Sequence, residues 1–216
     1  MTKQGLRELK RLATRKHISD VATGLFLARG FDNVTVAEVA AAAEVSKMTV
    51  FSHFPRKEDL FLDRHAERIT QLRRVLAERP AAESVVGALR RHQHHLLASR
   101  HPLSGAVEGV IPLWRVLRAS PALVNRMYEH GAEMHVALIA VLEADGAEPT
   151  TARLFAAHIS ATLMSIFELA VDRVLGGTAV EEVRRRQVEV IDEAFDLLEK
   201  GMGDYGVRSR ASMPAR

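Results

Sequence analysis

Between residues 45 and 61 the chain reads VSKMTVFSHFPRKEDLF. Two ammonium groups, Lys47 and Lys57, an imidazole, His53, and the hydroxyls of Ser46 and Thr49 follow one another closely. Cations and hydroxyls of this kind bind phosphate by charge and base edges by hydrogen bonds. Met48 and Phe51 place apolar surface beside them. A second cluster, RRHQHHLL at residues 90–97, sets His92 and His95 three apart on one helix face. That pair would hold a metal if a carboxylate or a third histidine came near, but no HExxH spacing accompanies it, and no metal or other cofactor is expected. Arg90 and Arg91 beside it suit an anionic ligand group instead. A third set, Trp114, Met127, Tyr128, Met134, Met164 and Phe167, with His95 at its edge, supplies the flat and adaptable apolar walls of a ligand pocket. The same residues equally suit core packing, since a helical apolar stripe normally faces a core.

Several chemistries are excluded. The chain has no cysteine, which removes disulfides, thiolate metal sites and cysteine nucleophiles. No nucleophile elbow, phosphate loop of the GxxxxGK type or paired catalytic carboxylate motif appears, so no enzyme is expected. No uncharged run is long enough to span a bilayer and the N-terminus has no apolar leader, so the expectation is a cytoplasmic protein without a membrane partner.

The elements that must position these groups read as helices throughout. Leu6, Leu9, Ile18, Val21, Ala22, Leu25 and Phe26 recur at three- and four-residue steps, which predicts a first helix ending at Gly30. Thr35 with Glu38 matches a capping box and opens a second helix. Ser46 caps a third over KMTVFSHF, ended by Pro55. A fourth is expected from Arg56 to Glu78. Further helices are expected over 84–99, 105–119, 121–145, 151–175 and 180–202, the last opened by a capping box of Thr178 with Glu181. No strand alternation or internal repeat is present. With 216 residues the chain buries one sizeable core, or one core and a small satellite.

Charge is divided unevenly. Residues 1–57 carry ten Lys and Arg against five Asp and Glu, a balance of +5, whereas the remainder carries twenty against twenty-two, a balance of −2. A local positive field draws polyanions, so the front of the chain is where nucleic acid would bind. Two short helices joined by a tight turn, the second opening on a cap and small polar residues, describe a helix-turn-helix at about 35–54. Val50 and Phe54, four apart, provide the packing face of that second helix and leave Lys47, Met48, Thr49 and Phe51 for DNA.

Residues 10–62 resemble the DNA-binding domain of the TetR family of transcriptional regulators. The likeness rests on Thr14-Arg15, on LFLARGFDNVTVAEVAAAAEVSKMTVFSHFPRKEDL from Leu25 to Leu60, and above all on Ser46-Lys47, Thr49, His53-Phe54 and Lys57 to Leu60. It implies an all-α chain in which a three-helix head, residues 1–57, binds double-stranded DNA, and a helical body, residues 58–203, binds a ligand and dimerises. It also implies DNA contacts from Arg15, Thr35, Lys47, Met48, Thr49, Phe51, His53 and Lys57. The family often has Gly where Met48 stands and Tyr where Phe51 stands, so a phenolic hydroxyl that could bond phosphate is absent here. Through SPALVNRMYEH and the last two helices the body is similar to the subgroup that binds acyl-CoA-like ligands.

These last two helices have broad apolar faces, Phe155, Ile159, Leu163, Ile166, Ala170 and Val174 on one and Val183, Val190, Ile191, Ala194, Leu197 and Leu198 on the other. Paired with their symmetry mates they would form a four-helix homodimer interface and set the spacing of two heads. The expectation is a repressor on a pseudo-palindromic operator, released by a small hydrophobic effector. Two alternatives stay open: a DNA-binding regulator without a small-molecule effector, and a helical metal-dependent enzyme using the His-rich helix. Residues 204–216 lack apolar periodicity and are expected to be disordered.

Overall fold

In the computed structural model residues 3–80 and 82–201 are described. They form ten α-helices and no strand. The helices are α1 (Lys3–Arg29), α2 (Val36–Ala42), α3 (Lys47–His53), α4 (Lys57–Phe61), α5 (His65–Ala77), α6 (Val85–Ala98), α7 (Val110–Ala119), α8 (Pro121–Ala144), α9 (Pro149–Leu175) and α10 (Val180–Lys200). The tail at 204–216, expected to be disordered, lies outside the described residues.

Local sequence explains most of these boundaries. Gly30 takes φ +81 and its amide bonds to the Phe26 carbonyl at 2.8 Å, closing α1 with the one residue type that meets no Cβ penalty there. Thr35 and Glu38 cap one another reciprocally at the start of α2. Ser46 Oγ accepts the Thr49 amide at 3.0 Å to start α3.

Three expectations are corrected. The helix expected over 56–78 is broken at residues 62–64 into α4 and α5. Leu60 is sealed in the core of the head, whereas Leu72 and Leu76 are sealed in the core of the body, and one straight rod could not turn both inward. The helix expected from residue 105 starts only at Val110, after a short 3-10 turn, Pro102–Ser104. Gly105, at φ +74, lies so close to α9 that a Cβ would sit 3.0 Å from the Phe167 carbonyl oxygen, so the chain passes there with no room for a side chain or a further turn. The capping box of Thr178 with Glu181 does not form. Ala179 caps α10 without a side-chain bond, and the Glu181 carboxylate pairs with Arg184 and Arg100.

Two cores result. The N-terminal core joins Ile18, Ala22 and Phe26 of α1 to Val39 and Ala40 of α2, Val50 of α3, Phe54 and Leu60. It also takes in Leu117 of α7 and Leu123 of α8, so the head is packed onto the body and does not hang from a linker. The body core unites α5, α6, α8, α9 and α10 around Leu89, Leu138, Ile166, Ile191 and Phe195. At about 25 cal/mol per Å² of apolar surface, each fully buried Phe or Leu contributes about 2 kcal/mol before cavity effects.

Candidate nucleic-acid interface

Seven residues make up α3, too few to persist alone, so its position is set by what it packs on. Val50 is buried, and Phe54, the C-cap, is sealed beneath it. These two side chains fasten the helix against α1 and α2 and turn its other face outward. On that face Lys47 is exposed, Met48 is 82% exposed and Phe51 is 50% exposed. Two large apolar side chains thus stand in solvent three positions apart on one face of a helix. Thr49 is half-buried at the same end, and its hydroxyl is hydrogen-bonded to Ser46 Oγ at 2.8 Å.

The other residues expected to touch DNA are occupied inside the head. Arg15 donates from Nη1 to the His53 carbonyl at the end of α3 and lies 4.1 Å from the centre of the Phe54 ring. Lys57 donates from Nζ to the Phe31 carbonyl at 2.6 Å and sits 4.1 Å from the centre of the Phe31 ring. Burial pushes the Lys57 ammonium below its ordinary value. Thr35 donates both its amide and its hydroxyl to Glu38 Oε2, each at 2.8 Å, and that amide together with Arg29 pulls the Glu38 carboxyl down to about 2. His53 is half-buried with Nδ1 enclosed and without a hydrogen-bond partner, and burial followed by the charges of Arg11 and Arg15 pushes it down. In the chain without DNA the polar groups of Arg15, Thr35 and Lys57 serve the scaffold that holds α3. Spacing in the sequence gives the cap of Thr35 with Glu38 but not the partners of Arg15 and Lys57, the carbonyls of His53 and Phe31, which tertiary packing supplies.

Behind α3 runs a polar seam between head and body. Arg126 of α8 donates from Nε to the largely buried Asp59 of α4 at 2.8 Å, and from Nη1 to Glu129 at 2.7 Å. Burial works against the Arg126 cation, but its hydrogen bonds to Asp59 and Glu129 hold its value above the ordinary one. Arg56 donates to Glu129 at 2.6 Å, and Ser120 donates to Asp32 at 3.0 Å. Sequence reasoning missed this seam entirely, since Asp59 and Arg126 are 67 positions apart.

The expected pocket residues divide. Trp114, Met127 and Tyr128 come together with Leu117, Arg118 and Glu168 around a hollow of about 170 Å³ between α7, α8 and α9. Phe167 packs its ring 5.3 Å from that of Trp114. Met134 packs on the body core instead, and Met164 lies 3.9 Å from the position a Cβ of Gly131 would take. His95 stands exposed on α6 and is not among the lining residues. His92 is half-buried on the same helix, and burial followed by the charges of His95 and His101 pushes it down to about 4.

Comparison with known proteins agrees with this geometry. The family model described as bacterial regulatory proteins, tetR family, matches residues 18–63, the span from α1 to just past α4. The HTH-type transcriptional regulator TcmR of Streptomyces glaucescens is 30% identical over 145 residues, 65% of this chain and 63% of that protein. This chain therefore spans less than two thirds of the length of the curated relatives it matches. Among solved structures, a complex of SmeT with triclosan superposes with a TM-score of 0.56 at 16% identity, covering 94% of this chain and 98% of that one. GusR of Salmonella enterica gives a TM-score of 0.54 at 18% identity, covering 88% and 95%. Likeness at these identities establishes a shared fold.

Proposed function

Because residues 18–63 match the model of bacterial regulatory proteins, tetR family, we propose that this chain belongs to that family and is a transcriptional repressor. It binds a pseudo-palindromic operator in double-stranded DNA as a cytoplasmic homodimer, and it is not an enzyme. The observation that carries this reading is the outward face of α3, where Lys47, Met48 and Phe51 stand free on a helix that Val50 and Phe54 hold from behind. In this arrangement α3 enters the major groove, Lys47 meets phosphate, and Met48, Thr49 and Phe51 approach base edges and sugars. Arg15, Thr35, His53 and Lys57 are positioning residues. The joint between head and body falls at α4 and the start of α5, where Leu60 closes the N-terminal core.

Dimerisation follows from uncovered apolar surface. Helix α9 is the one described helix long and apolar enough to cross a membrane by length and composition, yet only 28% of its most apolar window is buried within the single chain. Leu154, Phe155 and Leu169 on α9, with Val188 and Leu197 on α10, stand exposed. A second copy of the same two helices covers them in an isologous four-helix interface. The effector is a small hydrophobic molecule seated against Trp114, Met127 and Tyr128. Since Leu117 lines that hollow and also belongs to the head's core, a ligand that parts α7 from α8 shifts the head and lowers DNA affinity by its differential binding to the two states.

The size of the hollow supports a second reading. At about 170 Å³ it falls below the roughly 300–1,000 Å³ of ordinary ligand pockets, which suits a regulator whose body is packed and which answers to a partner protein. Selection of bound fragments from genomic DNA with the purified protein tests the main reading. The expected result is a site with two inverted half-sites one helical turn, or multiples of a turn, apart. Recovery of unrelated sequences, or a monomer in sedimentation that Phe155→Asp leaves unchanged, refutes it. Melting shifts with apolar compounds separate the two readings of the body, because a ligand bound only by the folded state raises the melting point.

A further inference from the structure

Where α5 begins, His65 lies against α8. Its imidazole stacks on that of His130 with ring centres 3.8 Å apart and planes 4° from parallel. One donor atom each from His65, His130 and Glu133 lie within 4.8 Å of one another. His65 Nε2 and Glu133 Oε2 are 2.9 Å apart, and Asp59 Oδ1 is 3.8 Å from His130 Nε2. Two imidazoles and a carboxylate are the donor set of zinc and its first-row neighbours, whereas calcium and magnesium favour oxygen alone. We propose that His65, His130 and Glu133 form a binding site for a divalent transition metal of the zinc class at the joint between head and body.

To hold such an ion one imidazole must turn out of the stack, because parallel rings 3.8 Å apart do not aim two nitrogen lone pairs at one point. Metal–ligand bonds of about 2.0–2.1 Å in a tetrahedron set donor atoms roughly 3.3 Å apart, so the present atoms close by at most about 1.5 Å. The Glu133 side chain, 48% exposed, has the freedom to make that movement, and His65, at the first position of α5, turns about its side-chain torsions to leave the stack. Arg126 donates to Glu133 Oε1 at 3.1 Å and to Asp59, an outer contact that aims the carboxylate and leaves Oε2 for the metal. The carboxylates of Asp59, Glu129 and Glu133 offset the cations of Arg56, Arg68 and Arg126 around the site, so a divalent ion does not enter a net positive field. The ion takes the place of the proton now shared between His65 and Glu133, and its fourth corner is left to water or Asp59. Occupation ties α5 to α8 beside Asp59 of α4 and so fixes the angle of the head. That consequence for DNA rests on the regulator reading above, whereas the metal site does not.

The test uses the full chain without a histidine tag, stripped by chelator and titrated with Co²⁺ and then Zn²⁺. The expected result is one Co²⁺ per chain with the visible spectrum of a four-coordinate ion, displaced by Zn²⁺, and a melting point raised by Zn²⁺. His130→Asn and Glu133→Gln each weaken Zn²⁺ binding by at least tenfold, and a double change of His92 and His95 to Asn leaves it unchanged. Since His130 is buried, Glu133→Gln on a half-exposed side chain decides the matter if the histidine variant fails to fold. Absence of stoichiometric Co²⁺, binding that survives Glu133→Gln, or binding lost with His92 and His95 overturns the site. Operator titrations with and without Zn²⁺ are read separately. Equal DNA affinity overturns the coupling alone, and failure to bind any operator refutes the regulator reading while the metal titration stands.

Discussion

Lys47 and Lys57 stand at similar places in the motif, yet the structure gives them opposite roles, and replacing each by Gln separates them. Lys47 opens α3, is exposed, and makes no ion pair among the described residues. Each phosphate neutralised contributes about 0.9 to the slope of log affinity against log salt, so removing Lys47 from both heads of a dimer flattens the slope by about 1.8. Between 50 and 200 mM salt, a fourfold change, the variant loses roughly 12-fold less affinity than the parent. Lys57 spends its ammonium on the Phe31 carbonyl and ring, so Lys57→Gln leaves the slope unchanged. It costs instead about 1.5–3 kcal/mol of stability, the worth of a charged hydrogen bond within the head. Fluorescence anisotropy on one operator duplex at several salt concentrations, beside thermal melts of all three proteins, gives both quantities. An unchanged slope for Lys47→Gln refutes the placement of α3 on DNA. Flattening by Lys57→Gln as large as that expected for Lys47 shows that Lys57 leaves Phe31 to meet phosphate, and refutes its role as a strut.

Two further outcomes follow from the body. His92 has a folded value pushed down to about 4 by burial, so as pH falls from about 6.5 the unfolded chain takes up a proton that the folded chain refuses. Stability present above 6.5 is thus lost on the way to 4, and His92→Asn lessens the fall in melting temperature over that range; an identical fall in both proteins refutes this. Gln187 is 1% exposed and donates to the Ile166 carbonyl at 2.6 Å, but its Oε1 is buried without a partner. Replacing it with Met of similar volume removes an unsatisfied acceptor and is expected to be neutral or to stabilise by up to about 1 kcal/mol, read by chemical denaturation. A loss above about 2 kcal/mol shows that the amide bond to Ile166 outweighs the orphaned oxygen.

The sequence by itself determined the local order of this protein. Apolar periodicity, the caps at Thr35 and Ser46, Gly30 and Pro55 are interactions among residues a few positions apart, so the head helices and the outward residues of α3 were legible before any coordinates. The front-loaded positive charge was legible for the same reason. Only the tertiary structure decided which polar groups remain free. Arg15 and Lys57 were expected at DNA from the sequence, and packing sets carbonyls and aromatic rings against both. The stack of His65 on His130, the link of Asp59 to Arg126 and the break between α4 and α5 arise where distant segments meet. A side chain's chemistry depends on the partners and water around it, and for these residues both are fixed by segments that no local pattern brings together.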